Sequence, residues 1–148
     1  MIDRFHVAKQ YHKAADNLRK KEMKRLKQQL PEAEYRQFQG VMWLFRRRWD
    51  DLEPEEQARL ERLFQHAPSL ERAYQFREQL TDIFDTLLSP EEAAVKLQAW
   101  CKAVRDSGLT CFNKFLTTLH NWWGEILNYF RQRHTSGFVE GFNNKVVL

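Results

Sequence analysis

Two short segments at opposite ends of the chain carry acidic side chains in settings unlike the rest of the sequence. One is IDRFHV, which contains Asp3, and the other is TSGFVEGFNNK, in which Glu140 lies among small and amide residues. Ionised carboxylates can ligate a metal ion or transfer a proton. An isolated acidic residue near a chain end, however, is usually only a solvated charge. Neither segment therefore predicts a function by itself, and the two have to be considered together.

Aromatic and cationic side chains in the middle of the chain have two interpretations each. Trp43 and the pair Trp122-Trp123 could stack on nucleobases, although aromatic residues at helical spacing more often fill a core. The run Arg46-Arg47-Arg48 could contact phosphates. Because Asp50 and Asp51 follow it, the run equally suits a salt-linked helix end.

Length and composition are typical of one globular domain that is neither exported nor embedded in a membrane. The 148 residues are 43% hydrophobic and 14% aromatic, which excludes a disordered chain. No uncharged apolar stretch approaches membrane-spanning length, and the N-terminus has no apolar signal region, so we expect a cytoplasmic protein with no membrane partner. Cys101 and Cys111 form no CxxC pair, which predicts reduced core residues.

The net charge of +4 is distributed unevenly. Residues 1–30 carry a net +6, residues 31–92 a net −6 and residues 93–148 a net +4. The basic face of the first predicted helix includes Lys20, Lys24 and Lys27, which are candidates for DNA contact. Charge alone favours a plainer role for these lysines, as the solvated face of a helix.

Hydrophobic periodicity predicts an all-α fold, a bundle of about six helices with at most a strand remnant at the N-terminus. The predicted helices run from Val7 to Pro31, from Pro31 to about Trp49, from Pro54 to Pro68, from Pro68 to Leu87, from Ser89 to Gly108, and from Leu109 to Arg131. Gly40 weakens the second of these helices locally, and Gly124 is a possible bend in the last.

Local signals at particular residues support these limits. Ser89 and Glu92 form a predicted capping box, and Gly108 is a typical left-handed helix terminator. The segment before residue 8 is short and mixed, and it suits the end of a strand that leads into a helix. Ser136 and Gly137 predict a turn after the last helix.

Taken together, the two end segments resemble the DDE transposases of the ISL-type insertion sequences. In that family a D-[RK]-F-H-V segment carries the second of three catalytic carboxylates, and an E-G-x-N-N-K segment carries the third. Asp3 matches the second carboxylate and Glu140 the third, so the resemblance implies that both are catalytic. Asn143, Asn144 and Lys145 match a polar tail that is expected near the DNA backbone.

The resemblance also implies a cofactor, since cutting and joining a phosphodiester needs an activated oxygen nucleophile and a stabilised leaving oxygen. Two Mg²⁺ ions about 3.5–4 Å apart can supply both functions. Hard cations of this kind prefer oxygen ligands, so the resemblance assigns Mg²⁺ to Asp3 and Glu140. Two carboxylates that share such a site should lie within roughly 8–10 Å of each other.

The family pattern predicts how the chain is organised. Residues 1–148 should form a single helical domain, in which about 8–135 are a helical insertion. Residues 1–7 and 136–148 should then be remnants of an RNase H-like core. Because the first catalytic Asp of the family lies upstream of the second, we expect the C-terminal portion of a transposase, inactive alone. Transposon-end DNA and a homo-oligomer are the expected partners.

An alternative interpretation needs no catalysis by this chain. A truncated transposase could retain a helical module that only binds DNA or self-associates. Geometry separates the two interpretations, because an enzyme must bring Asp3 and Glu140 close together and a module need not.

Overall fold

The computed structural model of the protein describes the backbone of residues 4–140 and the side chains of residues 4–133. Within these limits the chain is all-α, as predicted, with eight α-helices and no strand. The helices are α1 (Arg4–Gln29), α2 (Glu32–Arg36), α3 (Val41–Phe45), α4 (Pro54–His66), α5 (Pro68–Asp85), α6 (Pro90–Asp106), α7 (Asn113–Asn121) and α8 (Trp123–Glu140). Single 3₁₀ turns, Trp49–Asp51 and Thr110–Phe112, precede α4 and α7.

The predicted ends of α6 are confirmed atom by atom. The Ser89 hydroxyl accepts a hydrogen bond from the Glu92 amide at 3.1 Å, and the Glu92 carboxylate accepts one from the Ser89 amide at 3.0 Å. Pro90 occupies the first helical position, where its missing N–H costs nothing. Beyond the other end, Gly108 has a φ of 75°, a left-handed conformation that glycine adopts without strain.

The second predicted helix is two helices, α2 and α3. Gly40 adopts a φ of 78° and acts as the N-cap of α3, so the helical path stops before it and starts again after it. Gly40 therefore separates two helices and does not only weaken one continuous helix. The break lets α3 turn Val41, Leu44 and Phe45 into the core, and that burial favours two short helices over one long one.

The last predicted helix is also interrupted. Thr110–Phe112 is a 3₁₀ turn, and α7 ends at Asn121 with Trp122 as its C-cap. The interruption therefore falls at Trp122, not at the predicted bend of Gly124. The indole of Trp122 is partly buried, and Leu119 and Ile126 on either side of it are buried. Packing of these side chains therefore explains the position of the helix break better than the glycine does.

Both predictions of non-helical structure near the chain ends were wrong for the described backbone. The helix α1 already begins at Arg4, because Val7 lies four residues before Tyr11 and both are buried on one face. At the other end, α8 continues through Ser136 and Gly137 to Glu140. A glycine inside a helix costs only about 1 kcal/mol relative to alanine, so one glycine does not have to make a turn.

The chain divides into two compact units, whose boundaries fall inside α1 and α5. The first unit comprises the described parts of Met1–Ala14 and Gln79–Leu148. Its core is built on Tyr11, which stacks on Phe112 with ring centroids 5.1 Å apart and meets Phe115 edge-on at 5.4 Å. A second aromatic contact joins α5 to α8, where the rings of Phe84 and Phe130 are 5.1 Å apart.

The second unit, Ala15–Glu78, is organised around Tyr74 of α5. The ring of Tyr74 contacts those of Phe45 and Phe64 at centroid distances of 5.8 and 5.6 Å. Its hydroxyl donates a hydrogen bond to the Arg47 carbonyl oxygen at 2.6 Å. Burial, reinforced by the neighbouring Glu78 carboxylate, raises the pKa of Tyr74 to about 12. The hydroxyl therefore stays protonated and can remain a donor.

The two cysteines differ in burial, which bears on the prediction that both are core residues. Cys101 is buried, as predicted for a core residue, while Cys111 is only partly buried. Burial raises the pKa of the Cys101 thiol, which keeps it protonated and unreactive.

Among the described residues, no helix is both long and apolar enough to cross a membrane. The predicted domain limits near residues 7 and 136 stay a prediction.

The capping box of α6 predicts the effect of a single substitution. Replacing Ser89 with alanine (Ser89→Ala) should lower the free energy of unfolding by about 1 kcal/mol, because the Glu92 amide loses its acceptor. Urea denaturation followed by circular dichroism would measure the change. Ser69→Ala is the matched control, since the buried Ser69 hydroxyl has no hydrogen-bond partner among the described residues. Equal losses in the two variants would contradict the capping role.

Candidate functional site

The predicted carboxylates lie at the limits of the described structure. Asp3 is outside the described residues, but it directly precedes Arg4, the first residue of α1. Glu140 is the last residue of α8, and its backbone is described while its side chain is not. Asn143, Asn144 and Lys145 also fall outside the described residues. The site must therefore be approached through the nearest described neighbours of Asp3 and Glu140.

Those neighbours meet at Asp85, the last residue of α5. The Arg4 guanidinium forms an ion pair with the Asp85 carboxylate, with Nη1 and Oδ1 2.6 Å apart. Nη2 of Arg133, in α8, donates a hydrogen bond to the Asp85 carbonyl oxygen at 3.0 Å. The start of α1 and the second half of α8 are thus joined through one residue, in the first compact unit. We call Arg4, Asp85 and Arg133 the end junction.

The end junction relates the positions of the two segments that carry the predicted carboxylates. Asp3 is one residue from Arg4, and Glu140 is seven residues beyond Arg133. At 1.5 Å per residue, seven residues of helix advance about 10 Å. Arg4, which follows Asp3 in the sequence, and Arg133 of α8, the helix that ends at Glu140, therefore both contact Asp85. The distance between the two carboxyl groups themselves stays a prediction.

Hydrophobic packing explains why α8 reaches Asp85. Phe84, the residue before Asp85, and Phe130, three residues before Arg133, are both buried, and their rings are in contact. Burial of an aromatic pair is worth several kcal/mol, far more than a partly exposed ion pair. The aromatic contact therefore sets the position of α8, and the polar contacts of the end junction follow from it.

The end junction has more positive than negative charge. It contains two guanidinium groups and one carboxylate, of which Arg4 contacts the carboxylate and Arg133 the main-chain carbonyl oxygen of Asp85. Nε and Nη1 of Arg133 are buried without a hydrogen-bond partner among the described residues. Burial lowers the pKa of Arg133; the nearby charge of Arg4 adds to this effect, and Tyr129 and Asp85 oppose it. An arginine remains charged even so. The junction therefore carries a net positive charge.

The predicted DNA-contacting lysines lie on α1 in the second unit. Lys20, Lys24 and Lys27 are all exposed, and their spacing of four and three residues places them on one helical face. None of the three forms an ion pair with any described residue. The acidic residues of this part of α1 are already engaged: Asp16 pairs with Arg46 at 2.6 Å, and Glu22 pairs with Arg25 at 2.6 Å. We call Lys20, Lys24 and Lys27 the lysine face.

The run Arg46-Arg47-Arg48 is salt-linked, as in one of its two predicted interpretations, but its carboxylate partners lie on other helices and are not the neighbouring Asp50 and Asp51. Arg46 pairs with Asp16 at 2.6 Å, Arg47 with Glu56 at 3.4 Å, and Arg48 with Glu78 at 3.3 Å. These side chains join α3 to α1, α4 and α5 within the second unit. Their positive charges are consequently much less available to phosphates than those of the lysine face.

Trp43 is not a core residue, although its helical spacing suggested one. It is 70% exposed on α3, whereas Trp122 and Trp123 are partly buried. In the part of the chain with described side chains, no group of three or more His, Cys, Asp or Glu could hold a metal ion. Sequence reasoning missed both Asp85 and the exposure of Trp43. No local sequence pattern indicates that an aspartate at the end of a helix, such as Asp85, will contact two distant arginines.

Comparison with known proteins gives a consistent result over the whole chain. The family model that matches residues 1–148 is that of the ISL3-type DDE proteins and carries the description "Transposase". A curated relative, the transposase for insertion sequence element IS1001 of Bordetella parapertussis, is 28% identical over 147 residues. This alignment covers 99% of the chain and 36% of the relative, so the chain spans about a third of that protein. No solved structure matches the chain.

The family match extends over every element that carries the end segments, the end junction and the lysine face. It therefore agrees with the resemblance that Asp3 and Glu140 suggested at the ends of the sequence. The chain belongs to the ISL3-type family of DDE transposases.

Proposed function

We propose that this chain is part of a Mg²⁺-dependent transposase that cleaves and joins DNA at transposon ends, with Asp3 and Glu140 as two of its catalytic carboxylates. The observation that carries the proposal is the end junction, where Arg4 and Arg133 meet at Asp85. An enzyme of this class needs its carboxylates at one metal site. A chain that joins their neighbouring segments through a single residue is suited to that requirement.

The donor set fits the proposed cofactor. Asp3 and Glu140 provide hard oxygen ligands, and the amide oxygens of Asn143 and Asn144 are of the same chemical class. Mg²⁺, when bound, supplies charge stabilisation for the attacking and leaving oxygens. In this proposal the chain contributes the Asp3 carboxylate, directly before α1 in the sequence, and the Glu140 carboxylate, from the last residue of α8. The excess positive charge of Arg4 and Arg133 would offset the repulsion between these carboxylates and DNA phosphates.

The catalytic assignment predicts large losses from conservative substitutions. Asp3→Asn and Glu140→Gln should each reduce Mg²⁺-dependent strand cleavage by roughly two orders of magnitude or more, because a charged metal ligand is replaced by a neutral one. Cleavage of labelled transposon-end DNA by the complete reading frame that carries this chain would measure the loss. Glu125→Gln is the matched control, since Glu125 is an exposed carboxylate on the same helix, α8. Glu140→Gln with activity near that of Glu125→Gln would overturn the assignment.

The end junction predicts a milder and different defect. Asp85→Asn removes the ion pair with Arg4 but keeps the carbonyl oxygen that Arg133 contacts. The free energy of unfolding should fall by no more than about 1 kcal/mol, since the Asp85 side chain is 42% exposed. The Mg²⁺ concentration that gives half-maximal cleavage should rise, and excess Mg²⁺ should restore the rate, because the segment that carries Asp3 is less well held.

Asp106→Asn is the control for that experiment. It removes another exposed ion pair of the same unit, between Lys102 and Asp106 at 2.6 Å, which touches neither end segment. It should leave the Mg²⁺ dependence unchanged. The positioning role of Asp85 would be contradicted if both substitutions shifted the Mg²⁺ dependence equally or neither did.

A second candidate function, a DNA-binding module without catalysis by this chain, is favoured by the lysine face. Lys20, Lys24 and Lys27 span about 10 Å along α1, which equals the axial rise of about three nucleotide steps of one strand at 3.4 Å each. Their charges are not neutralised by the acidic residues nearby. The two functions are compatible, because a transposase must also hold its DNA.

The lysine face predicts a change in the salt dependence of DNA binding. The triple substitution Lys20→Gln, Lys24→Gln, Lys27→Gln should lower the slope of log affinity against log salt by up to about 2.7, at about 0.9 for each lost phosphate contact. Fluorescence anisotropy with a labelled duplex at several salt concentrations would measure the slope.

The control removes the same charge from exposed lysines of α6 and α7, by Lys96→Gln, Lys102→Gln and Lys114→Gln. This variant should retain nearly the full slope of the unmodified chain. If both triple substitutions lowered the slope equally, the change would be due to net charge alone, and the lysine face would not be a specific DNA-binding site.

A further inference from the structure

Trp43 is exposed because of the way α3 is built. Val41, Leu44 and Phe45 are buried and lie at helical spacing on one side of α3. Trp43 lies on the opposite side and exposes 70% of its surface. Tryptophan is among the side chains that gain most from burial, so its display on a helix with a packed face requires an explanation.

The backbone that carries Trp43 is well anchored. The N-cap of the helix is Gly40, whose carbonyl oxygen accepts a hydrogen bond from the Trp43 amide at 3.2 Å. Beyond its end, the Arg47 carbonyl oxygen accepts from the Tyr74 hydroxyl at 2.6 Å and from Arg77 Nη2 at 2.5 Å. The indole is therefore presented from a fixed position, which lowers the entropy lost when a ligand binds to it.

An ion pair connects the helix of Trp43 with the helix of the lysine face. Arg46, three residues further on, forms an ion pair with Asp16 of α1 at 2.6 Å. Asp16 lies one helical turn before Lys20, the first residue of the lysine face. The ion pair thus joins the end of α3 to α1 beside the lysine face, within the second compact unit. Proteins that bind single-stranded nucleic acid combine exposed aromatic rings with a positively charged track for the backbone. Trp43 supplies such a ring, and the lysine face supplies unneutralised positive charge in the same compact unit.

We propose that Trp43 stacks on an unpaired base of DNA whose phosphates lie along the lysine face. This inference rests on the proposed DNA-binding function and assigns a further part of the substrate to it. Bases in a duplex are stacked on one another and present only their edges. An indole can cover the face of a base only where the strand is single or the base is turned out of the helix. A single aromatic residue among charges is too small for a protein interface, which buries about 800 Å² on each partner.

The test compares single-stranded and duplex oligonucleotides of one sequence, bound to the full chain at fixed salt. Trp43→Ala should weaken binding of the single strand about tenfold, in the range for loss of one base–aromatic stack, and leave the duplex affinity unchanged. Trp43→Phe should retain most of the affinity, because it keeps an aromatic face. Val95→Ala is the control, since it shortens another side chain that is 67% exposed and should change neither affinity.

The outcomes separate this inference from the function on which it rests. Trp43→Ala should have the melting temperature of the unmodified chain, because Trp43 is exposed and its loss should not affect folding. A loss of single-strand binding alone would then support stacking. A single-strand affinity within twofold of the unmodified chain would overturn the stacking, and so would equal losses on both probes. If the lysine-face variant lost binding and Trp43→Ala did not, the proposed DNA-binding function would stand and only the role of Trp43 would be removed. No salt-sensitive binding of either probe by the unmodified chain would remove both.

Discussion

The contact between Phe84 and Phe130 is the interaction on which the end junction depends. Both side chains are buried, and their rings are 5.1 Å apart. Phe84 precedes Asp85, and Phe130 lies one turn before Arg133, so the aromatic pair brings the polar groups of the end junction within reach. An exposed ion pair is worth at most about 1 kcal/mol and could not hold two helices together alone. The hydrophobic contact fixes the helices, and the ion pair refines the position of Arg4.

Arginine and lysine have different roles in this protein. The guanidinium groups act mainly inside the fold, where Arg25, Arg48 and Arg77 each donate to a main-chain carbonyl oxygen and also pair with a carboxylate. Their planar, multiple donors suit two acceptors at once. Lys20 and Lys24 instead remain exposed and unpaired among the described residues. This division leaves a positive surface even though the chain contains nearly as many acidic as basic side chains, 20 against 24.

Helix faces and helix ends were largely predictable, because both depend on residues a few positions apart. The capping box of Ser89 and Glu92 and the left-handed Gly108 followed from local chemistry and were confirmed. The errors arose where tertiary packing overrode local preference. Gly40 starts a new helix because α3 buries three side chains, and Trp122, not Gly124, separates α7 from α8. Residues 4–7, whose sequence suited the end of a strand, belong to a helix that buries Val7.

The amino-acid sequence by itself determined the all-α class, most of the helix limits and the resemblance of the two end segments to a transposase, which the family match confirmed. These properties depend on periodicity and short motifs, which are local. Only the tertiary structure decided that Arg133 reaches Asp85, 48 residues away in the chain, and that Asp16 neutralises Arg46 and not a lysine. Only it decided that Trp43 points away from the core. Contacts between distant residues arise when buried faces pack together, and no local pattern in the chain specifies which exposed groups that packing brings into contact.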